Sequence, residues 1–387
     1  MMKRLVLTRD GGLVTGPGSL EYLKETCFSR AFLVTGGSSM QRFGVIDTAL
    51  KYLGETGCEC EVYSGIGKNP SEEEVLAGLD RMRQVRPDVV IAIGGGSAMD
   101  AAKCMLLFYE FPELTFQNVA EKIKEDAIPH ACKCKLICVG STSGTASEVT
   151  RVTVITDTKE RIKVPINTEC IRPDIAILDG EIAMTMPDRI AAETGMDALT
   201  HAIEAYTNHN LDDFTEVICK GAIEGIMKNL VASVKCPTLA TRQSMHNYQA
   251  MAGMGFANVG LGMVHGIAHS FGAVFNLAHG LTNAVILPYV LDYNRQDSRV
   301  ERKLRTLSYA CKCEDIVEEI RSIREVLDIP NTFQEAGIPE EDFIRELETL
   351  TDHAMLGATR VNPIEISKED MRLMVELVYY GREEWWK

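Results

Sequence analysis

Positive charge is in short supply in this chain. Lys and Arg number 40 against 55 Asp and Glu, a formal net charge of -15 with histidine neutral. An acidic surface repels phosphate backbones and anionic membranes, which argues against nucleic-acid and membrane-surface partners. A nucleotide cofactor is not excluded, because local backbone N–H groups hold phosphate whatever the net charge. Long apolar runs are missing as well, and none reaches the ~18–20 residues that span a bilayer. The start, Met1-Met2-Lys3-Arg4-Leu5-Val6-Leu7, has a basic tip, but its short apolar stretch runs into Arg9 and Asp10. That is too brief for a secretion signal. It reads as a first strand of a cytoplasmic protein.

The C-x-x-C spacing of zinc ribbons is absent. The 12 cysteines include the C-x-C pairs Cys58/Cys60, Cys132/Cys134 and Cys311/Cys313. Without a secretion signal they are expected to be reduced, incidental thiols rather than disulfides or thiolate ligands. Repeats and low-complexity linkers are also lacking. A chain of 387 residues is too long for one small core and fits two packed domains.

What is present in the first half is strand–helix alternation. Ala31 to Thr35 is an apolar run ending at Gly36-Gly37, and a helical stretch follows to about Gly54. Glu61 to Tyr63 reads as a strand. Ser71 and Glu74 form a capping box that opens the next helix. Asp88 to Ile93 is near-continuously apolar, as in sheets covered on both faces. Leu136 to Val139 and Ile175 to Leu178 are further strands. This pattern predicts a doubly wound, mostly parallel α/β domain. After about Asp179 helical periodicity takes over, in Ala191–Tyr206, Thr215–Val234, Ser244–Phe256, Val317–Leu327, Glu340–Leu350 and Lys368–Tyr380. The domain boundary is placed near 182. Residues 1–182 form the dinucleotide-binding α/β domain, and 183–387 an all-helical metal and substrate domain.

Gly94-Gly95-Gly96-Ser97 lies between a buried strand and a helix that starts near Ala98. Glycines let backbone N–H groups approach a pyrophosphate, and a helix N-terminus adds its dipole. The run is not G-x-G-x-x-G, so the usual dinucleotide fingerprint is absent, and a plain tight turn is the other reading. Ser141 to Glu148 follows a second buried strand with small hydroxyl residues, which cap a helix or bind a nucleotide. Together the two segments suit the crevice at the carboxyl ends of an open α/β sheet.

Asp197 and His201 stand one turn apart on a predicted helix, either a simple i,i+4 pair or two metal ligands. His265 and His269 are again one turn apart, and His279 follows. Four of only 8 histidines fall in these apolar motifs. Apolar surroundings disfavour charged imidazole. One divalent cation shared by a carboxylate and neutral imidazoles satisfies all of them, and this donor set suits Fe²⁺, Zn²⁺, Mn²⁺ or Ni²⁺.

With these segments in order along the whole length, the chain resembles the iron-containing (group III) alcohol dehydrogenases. The resemblance implies that Asp197, His201, His265 and His279 bind the metal, Fe²⁺ first with Zn²⁺ as the alternative. It implies that His269 lies near nicotinamide and substrate without being a ligand, which makes it the candidate catalytic proton relay, a packing histidine being the other reading. Asn69, Gly95, Gly96, Ser97, Asp100, Thr142, Thr145 and Lys163 match cofactor-contacting positions. The implied activity is metal-dependent hydride transfer between NAD(P)(H) and small alcohols or aldehydes, in a homodimer or higher homo-oligomer. One departure stands out. Many NAD-using members carry Asp after the first nucleotide-binding strand, where this chain has Gly36, Gly37, Ser38 and Ser39. These four are added to the cofactor-binding set, with NADP(H) expected ahead of NAD(H). Two alternatives are a non-redox metalloenzyme resembling dehydroquinate synthase and a nucleotide-binding regulator without catalysis.

Overall fold

The computed structural model describes residues 12–158 and 162–381; the strand expected at the extreme N-terminus lies outside them. The chain divides into two compact units, Met1–Met186 and Pro187–Lys387. The boundary expected near 182 falls inside the short helix Gly180–Ala183, which belongs to the first unit.

The first unit holds strands β1 (Gly12–Thr15), β2 (Arg30–Gly36), β3 (Glu59–Ile66), β4 (Val89–Gly94), β5 (Lys135–Gly140), β6 (Val152–Asp157), β7 (Ile162–Asn167) and β8 (Ile175–Leu178). Its helices are α1 (Ser39–Arg42), α2 (Val45–Glu55), α3 (Glu72–Val85), α4 (Gly96–Glu110), α5 (Val119–Lys124) and α6 (Gly180–Ala183). Six strands form one parallel sheet in the order β1-β8-β5-β4-β2-β3. Strand residues alternate between two cores. Phe32 and Val34 cluster with Val75, Leu79 and Met82 of α3 and Met99 of α4. Ala31 and Leu33 cluster with Ile46, Ala49 and Leu53 of α2. Both faces are buried, which is why the strand sequences carry no polar alternation.

β2 has β3 on one side and β4 on the other. Their crossovers therefore diverge, and the crevice at the carboxyl ends of β2 and β4 is the switch point where open parallel sheets take ligands. Gly36-Gly37 and Gly94-Gly95 both lie there.

β6 and β7 form an antiparallel hairpin that the sequence reading passed over. Pro165 on β7 reads as a strand breaker. It is accommodated because it sits opposite Val154, whose own N–H donates instead to Asp100 Oδ2 at 2.9 Å.

The second unit consists of α7 (Asp188–Thr207), α8 (Asp213–Lys235), α9 (Leu239–Val259), α10 (Met263–Phe275), α11 (His279–Asn294), α12 (Ser298–Cys311), α13 (Ile316–Val326), α14 (Glu340–Ala354) and α15 (Lys368–Tyr380). No strand occurs among its described residues. Six of these helices match the expected segments. α10, α11 and α12 were not read as helices. α11 is buried on nearly every side, from Gly280 to Asn294, so it shows no polar stripe from which to read a period, and Pro288 within it reads as a helix breaker. Among the described residues no single helix is long and apolar enough to cross a membrane. All 12 cysteines are free thiols.

The expected capping box is formed: the Ser71 hydroxyl accepts from the Glu74 N–H at 3.2 Å, and the Glu74 carboxylate accepts from the Ser71 N–H at 3.0 Å. Replacing Ser71 by Ala is expected to lower stability by about 1 kcal/mol, measured by urea unfolding. An unchanged midpoint would show that the cap contributes nothing to the fold.

Candidate functional site

In the second unit, α7, α10 and α11 bring four side chains to one point. Asp197 and His201 leave the same face of α7 and are buried. His265 projects from α10, and His279 is the first residue of α11. The Nε2 atoms of His279, His201 and His265 lie 3.7, 3.8 and 3.9 Å from Asp197 Oδ1. All four potential ligand atoms fall within 4.8 Å of one another. Donors held at about 2.1 Å from a common ion sit roughly 3–4 Å apart, so the spacing fits a divalent metal. Among the described residues this is the one such cluster of His, Cys, Asp and Glu, and no cysteine belongs to it. Burial holds His265 well below the usual imidazole pKa, reinforced by His201, His279 and His269. It is therefore neutral and offers a lone pair.

The approach of α11 to α7 depends on Gly280. A Cβ at this position would lie 2.3 Å from the Glu193 carbonyl oxygen. Any side chain there pushes the start of α11, and His279 with it, away from Asp197.

His269 stands one turn beyond His265 on α10. Its ring stacks on His279 with centroids 5.2 Å apart and meets His265 edge-on at 5.9 Å. It is half-buried, borders the cluster and is not part of it.

The first unit gathers most of the expected nucleotide residues at the ends of β2, β4 and β5. Gly95 is the N-cap of α4 and makes no side-chain cap, leaving first-turn N–H groups available. A Cβ on Gly96 would come within 2.9 Å of Thr145 Cγ2. The Ser97 hydroxyl donates to the carbonyl of Lys68, which brings the loop carrying Asn69 beside the helix start. The Thr142 hydroxyl is buried and has no partner among the described residues, as expected of a group awaiting a ligand. Lys163, on β7, helps to offset the burial that raises the Asp100 pKa. Asp100 itself is occupied: its carboxylate accepts from the Ser147 hydroxyl at 2.7 Å and from Val154 N–H. At the end of β2, Gly37 has φ of +58°, Ser38 makes no cap and Arg42 follows on α1.

Two family models match, iron-containing alcohol dehydrogenase over residues 11–180 and the C-terminal domain of the Fe-containing alcohol dehydrogenase family over residues 191–379. The chain belongs to the iron-containing alcohol dehydrogenase family. As a member it is an oxidoreductase of that type. An NADPH-dependent butanol dehydrogenase from Clostridium saccharobutylicum is 42% identical, covering 99% of both chains. An alcohol dehydrogenase from Thermococcus barophilus is 32% identical over 95% of this chain and 97% of its own length. The iron-containing alcohol dehydrogenase structure from Thermococcus thioreducens superposes with a TM-score of 0.89 at 30% identity, covering 98% of this chain and 100% of that one. None of the three is a non-redox synthase.

This dehydrogenase surrounds its cluster with residues that the sequence reading missed. Glu204, three residues beyond His201 on α7, is buried; its Oε2 lies 2.5 Å from His265 Nδ1, and its Oε1 accepts from Val264 N–H at 2.7 Å. Burial pushes its carboxyl up to about 8, against backbone N–H donors at Val264, Gly262 and His265 that favour the charged form. In its ionised form, which those N–H donors favour, Glu204 on Nδ1 would fix the tautomer that turns Nε2 toward a metal. Asn283, four residues beyond His279, donates from Nδ2 to Asp197 Oδ1 at 2.6 Å; the same nitrogen lies 3.1 and 3.2 Å from Nε2 of His265 and His279. A donor drawn among three acceptors marks a position that favours positive charge. Phe256 stacks on His201 at 4.5 Å. The i,i+3 and i,i+4 spacings were the available signals for Glu204 and Asn283.

Replacing His265 or His279 by Ala removes one donor. Metal content measured by elemental analysis is expected to fall from about one ion per chain to a small fraction, with helical circular dichroism retained. Full occupancy in both variants would refute the ligand set. Glu204→Gln keeps the four donors but loses the carboxylate, and should weaken metal affinity by about 10–100-fold in a chelator competition.

Proposed function

We propose that this enzyme reduces small aldehydes to primary alcohols with NADPH, at a divalent ion held by Asp197, His201, His265 and His279. The observation that carries the reading is the convergence of three imidazole nitrogens on one buried carboxylate oxygen. Such an ion, Fe²⁺ by family, would supply Lewis-acid polarisation of a carbonyl oxygen when bound. The four side chains would hold it, and the burial of Asp197, His201 and His265 limits water there. His269, half-exposed beside His279, is placed to pass a proton between solvent and the substrate oxygen. Gly95, Gly96, Ser97, Thr142 and Thr145 supply the pyrophosphate cradle, with Asn69 and Lys163 at its margin. Asp100 acts there through Ser147 and Val154. The C. saccharobutylicum relative, an NADPH-dependent butanol dehydrogenase, supports both cofactor and substrate class. A cytoplasmic homo-oligomer is the assembly that the family leads us to expect.

The NADPH preference has a local cause. An acid after β2 would repel a 2′-phosphate, and none is present at Gly36, Gly37, Ser38 or Ser39. Ser38 is exposed, Ser39 half-buried, and Arg42 stands exposed one turn on. A charge-assisted bond to phosphate contributes about 1.5–3 kcal/mol, roughly ten- to a hundredfold in discrimination. Wild-type enzyme is expected to favour NADPH in kcat/KM with a short-chain aldehyde, and Gly36→Asp should weaken NADPH use more than NADH use. A wild type that prefers NADH would show that the missing carboxylate does not set selectivity. Silence across a broad aldehyde panel with both cofactors would overturn the redox reading.

A further inference from the structure

Two buried amides that the proposed chemistry leaves unused tie the start of α10 to the end of α11. α10 begins at Met263, and its N-cap, Gly262, has no side chain to offer the free N–H groups of the first turn. Acceptors come instead from two remote residues. Val264 N–H donates to Glu204 Oε1, and Met263 N–H donates to Asn362 Oδ1 at 3.2 Å. Gly262 leaves the space for both: a Cβ there would lie 2.9 Å from Glu204 Oε1 and 3.2 Å from Asn362 Oδ1. Asn362 is buried, and its amide is fully engaged. The oxygen accepts from Met263 and from Asn294 Nδ2, the latter at 3.1 Å. The nitrogen donates to Asn294 Oδ1 and to the Ile364 carbonyl, both at 2.8 Å. Asn294, also buried, is the last residue of α11.

This pattern allows one orientation only. Turning the Asn362 amide over would set its nitrogen against Met263 N–H and its oxygen against the Ile364 carbonyl, donor on donor and acceptor on acceptor. A buried amide with every position matched resists displacement, because a bond broken there is not replaced by water. It therefore fixes the start of α10 against the end of α11. The same stretch of chain meets α10 a second time. Asn362 follows the short helical turn Gly357–Val361, in which the Thr359 hydroxyl donates to the Ala354 carbonyl at 2.6 Å. A Cβ on Gly266 would lie 1.8 Å from Thr359 Oγ1 and 3.0 Å from the Ala354 carbonyl oxygen. His265 thus stands between two fixed points, with Met263 bonded to Asn362 before it and Gly266 packed against Thr359 after it.

We propose that Asn362 is a positioning residue for the metal centre: bonded to Met263 and Asn294, it sets the place of α10 at which His265 Nε2 meets Asp197 and His279. This rests on the reading of the four-residue cluster as a metal site. Glu204 meets the His265 ring at Nδ1, whereas Asn362 places the backbone from which that ring extends. Metal–donor distances are held to within about 0.2 Å, so a shift of α10 by a fraction of an ångström weakens the hold on an ion.

The test uses the full-length chain with Co²⁺ as the probe ion, whose visible absorption reports the geometry of its ligands. Asn362→Ala is expected to retain helical circular dichroism, while its Co²⁺ dissociation constant, read by chelator competition, rises about tenfold or more. Its Co²⁺ absorption should depart from that of wild type. Asn294→Ala leaves Met263 its acceptor and should raise the same constant by roughly threefold. Ser308→Ala is the control: it removes a buried acceptor on α12, the hydroxyl that Ile316 N–H meets at 2.9 Å. It should lower the melting temperature and leave Co²⁺ affinity within about twofold of wild type. If Asn362→Ala does not fold, the Asn294→Ala constant alone decides, an unchanged value overturning the proposal. A lowered melting temperature with unchanged Co²⁺ affinity and spectrum in Asn362→Ala would overturn it and leave the amide a structural group only. An equal loss of affinity in Ser308→Ala would overturn it too, since affinity would then merely follow stability. A wild type that binds Co²⁺ no more tightly than His265→Ala would overturn the metal reading itself instead.

Discussion

Electron-pair acceptors do not gather out of water without something positive among them. Three imidazole nitrogens and a carboxylate oxygen within 4.8 Å form such a gathering. Their mutual repulsion is tolerable only because the helices that carry them are packed tightly elsewhere and a cation can satisfy all four at once. Much of the second unit answers to this constraint. α7 supplies two donors by the helical repeat, Gly280 lets α11 come within reach, and Glu204 aims one imidazole. Asn283, completely buried, turns its amide nitrogen toward the same point. The site is thus a property of three helices and their neighbours, not of a loop.

In the proposed reading the first unit meets the opposite problem, holding an anion on a protein of net charge -15. Global charge matters little at contact distance. Backbone N–H groups at the uncapped start of α4, glycines that admit close approach and an unsatisfied threonine hydroxyl provide local positive potential where it is needed. The two buried charges near the crevice, Asp100 and Lys103, are both turned toward protein atoms. Such pairing with protein oxygens and N–H groups offsets the desolvation cost of a buried charge.

Legibility differed among elements for physical reasons. β2 and β4 were readable because strands covered on both faces become unbroken apolar runs, and α3 because its cap is written in Ser71 and Glu74. The Asp197–His201 pair was readable because side chains four residues apart on a helix share a face. α11 was not, because burial all round erases the polar stripe that marks a helix. The β6–β7 hairpin was masked by Pro165, whose place depends on Asp100 far away in the sequence. Asp100 was matched to a cofactor-contacting position, and the structure adds what the motif did not show, that its carboxylate accepts from Ser147 and Val154.

By itself the sequence determined the two architectures, the candidate donors and the glycine-rich crevice, since these rest on local periodicity and residue chemistry. Only the tertiary structure decided that His265 and His279, from two helices, meet the Asp197–His201 pair at one point while His269 stands beside it. The contacts of Glu204 and Asn283 with that cluster became visible at the same stage. Those contacts are set by distances between segments remote along the chain. Helical and strand periods fix which face a side chain leaves, but not what it meets there.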